Sequence, residues 1–184
     1  MERKMKKKLK YLIRYVLYKR ILKRDLMELK VQYYRDMGVK IGSNMRTFSP
    51  LTSAEPYLLE FKDEITISSD VKFITHDNAT GKAIPEATDS FGKITIGNNC
   101  FIGLNSIILP GVELADDIIV GAGSVVTKSF LQEGVVIAGN PARIVTTVEK
   151  YRDKYKKYAM NRIGLSAEEK KQMILNNPDK WIEK

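Results

Sequence analysis

The stretch IGNNCFIGLNSIILPGVELADDIIVGAGSVVT, from Ile96 to Thr127, contains an unbroken six-residue repeat. An aliphatic residue stands at every sixth position of it: Ile96, Ile102, Ile108, Leu114, Val120 and Val126. Small or apolar residues follow the first five of these by four places: Cys100, Ser106, Val112, Ile118 and Ser124. A helix repeats its apolar positions every three to four residues and a half-buried strand every two, so a strict period of six fits neither. It is typical of a parallel β-helix, in which stacked coils share one core.

The same period extends towards the N-terminus, with one interruption. Phe61, Ile67 and Phe73 are six residues apart, whereas 23 residues separate Phe73 from Ile96, which is not a multiple of six. Residues 79–93 between them are rich in Gly, Pro, Thr and Asp, and they predict a loop that leaves the coil. We therefore expect a β-helix domain over residues 39–146 with an extruded loop at 79–93.

Helical segments are predicted on both sides of this domain. Residues 1–38 contain a basic amphipathic helix, and the helical pattern ends at Gly38. Residues 147–184 contain a charged helix and then a second helix, for which Ser166 and Glu169 form a capping box. The expected fold class is therefore an all-β core with α-helical appendages at the N- and C-terminal ends.

Five segments resemble, in the right order, the hexapeptide-repeat acyltransferases, and specifically their galactoside, maltose and polysaccharide O-acetyltransferase branch. The segments are FITHDN at 73–78, ITIGNNCFIG at 94–103, ILPGV at 108–112, VGAGSVVTK at 120–128 and AGNPARIV at 138–145. The resemblance implies a left-handed parallel β-helix and acetyl-CoA as the acyl donor. It also implies a homotrimer whose active sites lie between neighbouring subunits.

The resemblance further implies where acetyl-CoA binds, with its pantetheine arm along the outside of the coil. The matching positions are Gly103 and Leu104 beside the thioester, Ala122 and Thr127 along the arm, and Lys128 and Arg143 near the phosphates. Phosphates need cations, which favours Lys128 and Arg143. A role in coil packing alone would equally explain Gly103 and Ala122.

His76 is the candidate general base. It is the only histidine of the chain, it stands at the lip of the predicted loop, and FITHDN matches the family at this position. Acetyl transfer to a sugar hydroxyl requires removal of a proton from an alcohol of very high pKa, which a neutral imidazole can accept near pH 7. A carboxylate on the other ring nitrogen would fix the tautomer and stabilise the imidazolium. Asp77, Glu86 and Asp89 are available in the loop, and the spacing to ITIG in the family favours Asp89.

Composition limits the other classes of function. One histidine per chain cannot supply the three-histidine zinc site of the γ-type carbonic anhydrases, and no metal site is predicted. The single cysteine, Cys100, fits a reducing compartment, and we expect a cytoplasmic protein in which Cys100 is a packing residue. Residues 1–24 hold eleven of the 31 Lys and Arg and one of the 22 acidic residues, so they carry +10 and the rest of the chain −1. A nucleic-acid function of the whole protein is therefore unsupported.

The basic N-terminal helix has two possible partners. Its apolar side contains Leu9, Leu12, Ile13, Val16, Leu17, Ile21 and Leu22, flanked by Tyr11, Tyr15 and Tyr18. A helix of this kind can lie on an anionic membrane, here the inner membrane surface. The same apolar stripe can instead pack against the β-helix or a neighbouring subunit, which leaves the charges in water.

The sequence therefore predicts an acetyl-CoA-dependent O-acetyltransferase that acts on a hydroxyl of a sugar or polysaccharide precursor. Two alternatives stay open: N-acylation of an amino sugar or sugar nucleotide, and a non-catalytic β-helix scaffold. The segment AEPYLLEF at 54–61 replaces a polar acceptor-binding segment of the simple galactoside enzymes, so the acceptor is not expected to be a free galactoside.

Overall fold

A three-sided parallel β-helix forms the body of the protein in its computed structural model, which describes residues 2–17 and 26–183. The strands are β1 Lys40–Ile41, β2 Arg46–Thr47, β3 Leu59–Phe61, β4 Thr66–Ile67, β5 Lys72–Phe73, β6 His76–Asp77, β7 Ser90–Phe91, β8 Ile94–Ile96, β9 Phe101–Ile102, β10 Ile107–Ile108, β11 Glu113–Leu114, β12 Ile119–Val120, β13 Val125–Val126, β14 Val135–Gly139 and β15 Ala142–Thr147. The first face contains β1, β3, β8 and β11, and the third contains β5, β10 and β13. The second contains β2, β4, β9, β12 and β14, with β15 antiparallel at its end.

Three hexapeptides make one turn of the regular coil. Ile96 pairs with Leu114, and the residues six and twelve places further on pair in the same way with partners 18 residues later. All eleven inward positions named above for residues 96–126 are buried, with at most 2% of any residue exposed. The predicted parallel β-helix is confirmed, whereas its left-handed winding stays a prediction.

The predicted loop leaves the coil directly after the third face. Strands β6 and β7 pair antiparallel at its base, and the Gly92 N–H donates to the Thr75 carbonyl at 2.9 Å. The chain then re-enters the regular coil at β8 on the first face. The irregular spacing between Phe73 and Ile96 thus reflects an insertion at one edge of the three-sided β-helix, which has the shape of a triangular prism.

Helices lie on both sides of the coil and within the loop. They are α1 Glu2–Leu17, α2 Leu26–Met37, α3 Thr80–Ala83 in the loop, α4 Val148–Tyr155 and α5 Ala167–Leu175. Helix α2 ends before Gly38, as predicted, and α5 has the predicted capping box. Helix α4 is shorter than the charged helix that the sequence predicts over residues 149–162, because a 3₁₀ turn at Lys156–Tyr158 follows it and residues 159–162 are not helical.

Part of the predicted N-terminal helix, including Tyr18, Ile21 and Leu22, lies outside the described residues. Within the residues that are described, no helix combines the length and the apolar character needed to cross a bilayer. Helix α2 packs on the coil through Val31 and Tyr34, which belong to the core and are at most 6% exposed, whereas the buried Leu29 lines the crevice between α2 and α1.

Candidate functional site

His76 lies where the chain leaves the third face, and a carboxylate from the preceding coil contacts its ring. Its Nδ1 atom is 2.9 Å from Glu55 Oε2. Thr75 Oγ1 donates a hydrogen bond to the same carboxylate oxygen at 2.7 Å. The Glu55 side chain is only 14% exposed, whereas that of His76 is 41% exposed. The carboxylate is therefore shielded, and the imidazole is accessible to a substrate from solvent.

A closed ring of hydrogen bonds holds Glu55 in place. The Glu55 main-chain N–H donates to Ser53 Oγ at 3.2 Å, and the Ser53 and Thr75 hydroxyls are hydrogen-bonded to each other. Because the single hydroxyl proton of Thr75 goes to Glu55, the Ser53 hydroxyl donates to Thr75. Thr75 is 1% exposed, so water does not compete for these bonds. The orientation of the carboxylate is thus set before any substrate binds.

The two groups change each other's protonation. The hydrogen bond from Thr75, followed by that from His76, lowers the pKa of Glu55, so this group is an ionised acceptor near neutral pH. An ionised carboxylate can only accept, so Nδ1 of His76 carries the proton and Nε2 of the neutral ring carries the lone pair. The hydrogen bond to Glu55 raises the pKa of His76 above its ordinary 6.5, with smaller contributions from the charges of Glu55, Asp89 and Asp77. This arrangement is suited to a general base.

Asp89, which the sequence predicts as the acidic partner of His76, does not hold that position. Its Oδ1 accepts a weak hydrogen bond from Asn78 Nδ2 at 3.3 Å. Asp77 accepts from the Ala79 N–H at 2.8 Å and so stabilises the turn that starts the loop. Both carboxylates act on the imidazole through charge alone, because Nδ1 is already bonded to the coil.

Sequence reasoning missed Glu55 because this residue lies outside the loop. It precedes His76 by 21 residues, in the segment 48–60 where the six-residue period fails. Spacing cannot place a residue of an irregular coil relative to the coil above it. An available signal was the segment 54–61 itself, which departs from the family pattern one coil before the histidine.

Two of the predicted acetyl-CoA residues share an edge of the prism with His76. His76 follows β5, and Thr127 and Lys128 follow β13. Main-chain hydrogen bonds of 2.9 and 3.1 Å connect the ends of these strands through β10, which lies between them. Thr127 and Lys128 are exposed and stand two coils above His76, at the edge between the third and first faces.

The other four predicted residues lie at the edge between the second and third faces. Leu104 and Ala122 are exposed corner residues of successive coils. Arg143 pairs with Ala138 in the β14–β15 hairpin, directly above that corner, and it is also exposed. A Cβ atom on Gly103 would lie 2.6 Å from the Ala122 main-chain nitrogen, so coil packing alone requires glycine there.

A single chain therefore does not bring His76 together with Gly103, Leu104, Ala122 and Arg143. The two groups occupy different edges of one rigid prism, and a site that contains both needs an edge from a second chain. Lys128 and Arg143 place exposed cations on the two edges, as binding of a phosphorylated ligand requires.

Cys100 is a packing residue, as predicted. It is 2% exposed, and burial raises the pKa of its thiol to about 11. The thiolate, which is the nucleophilic form, is therefore scarce at neutral pH. Across residues 2–17 and 26–183, no three His, Cys, Asp or Glu side chains lie together as potential metal ligands.

Comparison with known proteins gives relatives over most of the chain. The profile of a family described as "Hexapeptide repeat of succinyl-transferase" matches residues 93–128. Protein CapG of Staphylococcus aureus is 43% identical over 166 residues, which cover 87% of this chain and 94% of CapG. Galactoside O-acetyltransferase of Escherichia coli (strain K12) is 32% identical over 134 residues, 70% of this chain and 63% of that enzyme. A maltose O-acetyltransferase structure from Clostridium difficile 630 has a TM-score of 0.50 and 21% identity over 80% of this chain and 89% of that one, a likeness of fold.

The assignment of Glu55 predicts how the pKa of His76 responds to substitution. His76 gives the only imidazole signals of the chain, so NMR titration measures its pKa directly. Glu55→Gln removes the charge that stabilises the imidazolium, and we expect the pKa of His76 to fall by about 1 pH unit or more. Asp89→Asn is the matched control, and we expect a smaller fall. A larger fall in Asp89→Asn than in Glu55→Gln would contradict the assignment.

Proposed function

Because the chain belongs to the hexapeptide-repeat acyltransferase family, we propose that it transfers the acetyl group of acetyl-CoA to a hydroxyl of a sugar or polysaccharide precursor. Family membership rests on the match of residues 93–128 to the hexapeptide-repeat profile and on the 32% identity to galactoside O-acetyltransferase over 70% of this chain, together with the 43% identity to CapG over 87% of it. The observation that carries the proposed chemistry is the hydrogen bond between His76 and Glu55. A catalytically silent scaffold would not require an accessible imidazole on a shielded carboxylate.

His76 moves one proton in this reaction. Nε2 accepts the proton of the acceptor hydroxyl as its oxygen forms a bond to the thioester carbonyl carbon. Glu55 keeps Nδ1 protonated and stabilises the positive charge of the ring. When the carbon–sulfur bond breaks, the imidazolium returns the proton to the leaving sulfur. The donor supplies the activated acetyl group, and the chain supplies the base and its orientation.

A homotrimer would complete the site. We place the edge that carries Leu104, Ala122 and Arg143 of one subunit against the edge that carries His76 and Lys128 of the next. In a three-fold trimer each subunit contributes one edge of each kind to a neighbour, so all three edges of one kind are paired with the three edges of the other. Arg143 and Lys128 then bind the phosphates of the donor from both sides of the cleft.

The surroundings of His76 support a carbohydrate acceptor. The Phe91 ring centroid is 6.1 Å from that of His76, and Phe91 is 61% exposed. An exposed aromatic face beside the base offers a flat apolar contact, while the polar groups nearby fix orientation. We place the reaction in the cytoplasm, where a chain with one free cysteine remains reduced.

Replacement of His76 tests the proposed base. We expect His76→Ala to lower turnover by at least about 10², while calorimetry shows the affinity for acetyl-CoA little changed, since His76 acts on the acceptor. Asp77→Asn is the control, because Asp77 is exposed and bonds to the loop backbone, and it should stay within a few-fold of wild type. Equal losses of binding and turnover in His76→Ala would point to structural damage instead.

Mixed trimers test whether two subunits share one site. Ala122→Trp should block the donor cleft of its own edge, and His76→Ala removes the base of the other edge. Each variant alone should be inactive, whereas trimers formed from both at random should recover about a quarter of wild-type activity, because one interface in four pairs two intact edges. No recovery, with trimers present by sedimentation, would contradict a shared site.

A further inference from the structure

Helix α1 turns its apolar side to solvent. Leu9, Leu12, Ile13, Val16 and Leu17 are 58, 55, 61, 46 and 38% exposed. These are the described members of the apolar stripe in the sequence, and Met5 extends it at 65% exposure. Among the described residues, nothing covers this part of the stripe. For residues 5–17 this excludes packing on the chain's own β-helix, and a membrane or a neighbouring subunit remains as the partner.

The opposite side of α1 is fixed to helix α2. The rings of Tyr11 and Tyr33 pack with their centroids 4.6 Å apart, and Lys7 Nζ donates to the Asp36 carbonyl. Arg14 lines the same crevice between the helices. Lys7, Tyr11 and Arg14 thus face α2, while the leucine, isoleucine and valine side chains of α1 face outward, which is the reverse of an ordinary surface helix.

Helix α2 fixes the orientation of α1, because α2 is itself held on the coil. Its residues Leu29, Val31 and Tyr34 are buried, and Lys30 Nζ donates to the Thr47 carbonyl at 2.9 Å. Arg35 Nε donates to the Ile41 carbonyl at 3.0 Å. Helix α1 cannot rotate its apolar side inward without losing its contacts to a helix that is itself held by the coil.

The charges around the apolar side select its partner. Lys6 lies within the stripe on the helical wheel, Lys8 and Lys10 stand at its two edges, and all three are exposed. Helix α1 carries seven Lys and Arg and one acid, Glu2. Long cationic side chains at the edges of an apolar face can reach phosphate groups while the face enters the acyl boundary of a bilayer.

A second copy of the chain fits this surface less well. Two α1 helices that met through their apolar sides would bring their lysine edges together, and like charges oppose association. The chain outside residues 1–24 carries a net charge of only −1, so a second copy as a whole offers this helix little electrostatic attraction. We propose that the exposed face of α1 docks on an anionic membrane surface, with Leu9, Leu12, Ile13, Val16 and Leu17 inserted and the lysines on lipid phosphates.

Vesicle co-sedimentation of the full chain tests this docking. We expect binding to phosphatidylglycerol vesicles that weakens steeply from low to high salt, and little binding to phosphatidylcholine vesicles. Leu12→Glu/Val16→Glu should lower binding at least about ten-fold, because it puts charge into the inserted face. Ile163→Glu/Ile182→Glu is the matched control, since these residues are 87 and 59% exposed outside α1, and it should bind as wild type does.

Three results would overturn the proposal. One is the absence of binding to anionic vesicles at low salt, and another is equal binding to neutral vesicles. The third is a Leu12→Glu/Val16→Glu variant that still binds vesicles but changes its oligomeric state in lipid-free sedimentation, which would identify a second copy as the partner. None of these measurements uses acetyl transfer, so their outcome is independent of the proposed function.

Discussion

Each coil of the β-helix is held in one register with the coils above and below it. Inward residues 18 positions apart stack directly, as Ile96 does under Leu114, and neighbouring strands lie about 4.8 Å apart. Each inward side chain is enclosed by the coils above and below, so no coil can shift without exposing its own core. The same register fixes the outside of the prism. It puts Lys128 above His76 on one edge and Ala122 above Leu104 on another.

The catalytic pair uses this rigidity at the one place where the coil is irregular. The loop departs at His76, and the segment that carries Ser53 and Glu55 precedes the regular coil. The buried hydroxyl of Thr75 connects the two, because it donates to Glu55 and accepts from Ser53. The base therefore stands at the start of the insertion but takes its orientation from the core. This is the usual requirement for a site that must be organised before substrate arrives.

The sequence predicted what short-range patterns encode. An unbroken period of six over residues 96–126 specified the regular coil and its inward residues, and a unique histidine in FITHDN specified the candidate base. Glu55 could not be found in this way, because its contact with His76 crosses an irregular coil whose register the period does not define. The sequence also did not show that the predicted acetyl-CoA residues lie on two different edges, because the edge depends on which strand each residue follows. The outward turn of α1 depends on Tyr11 packing on Tyr33, which a helical wheel cannot show.

If neutral His76, oriented by Glu55, accepts the proton of the acceptor, the pH dependence of kcat/KM follows the titration of its imidazole. A group whose folded pKa is raised loses its basic form as the pH falls through that raised value, so activity should decline on the acid side with a midpoint above 6.5. The midpoint should equal the pKa of His76 measured by NMR, and in Glu55→Gln it should move to lower pH while the plateau falls. An acid limb that stays in place when Glu55 is replaced, or that differs from the NMR pKa of His76, would contradict the account.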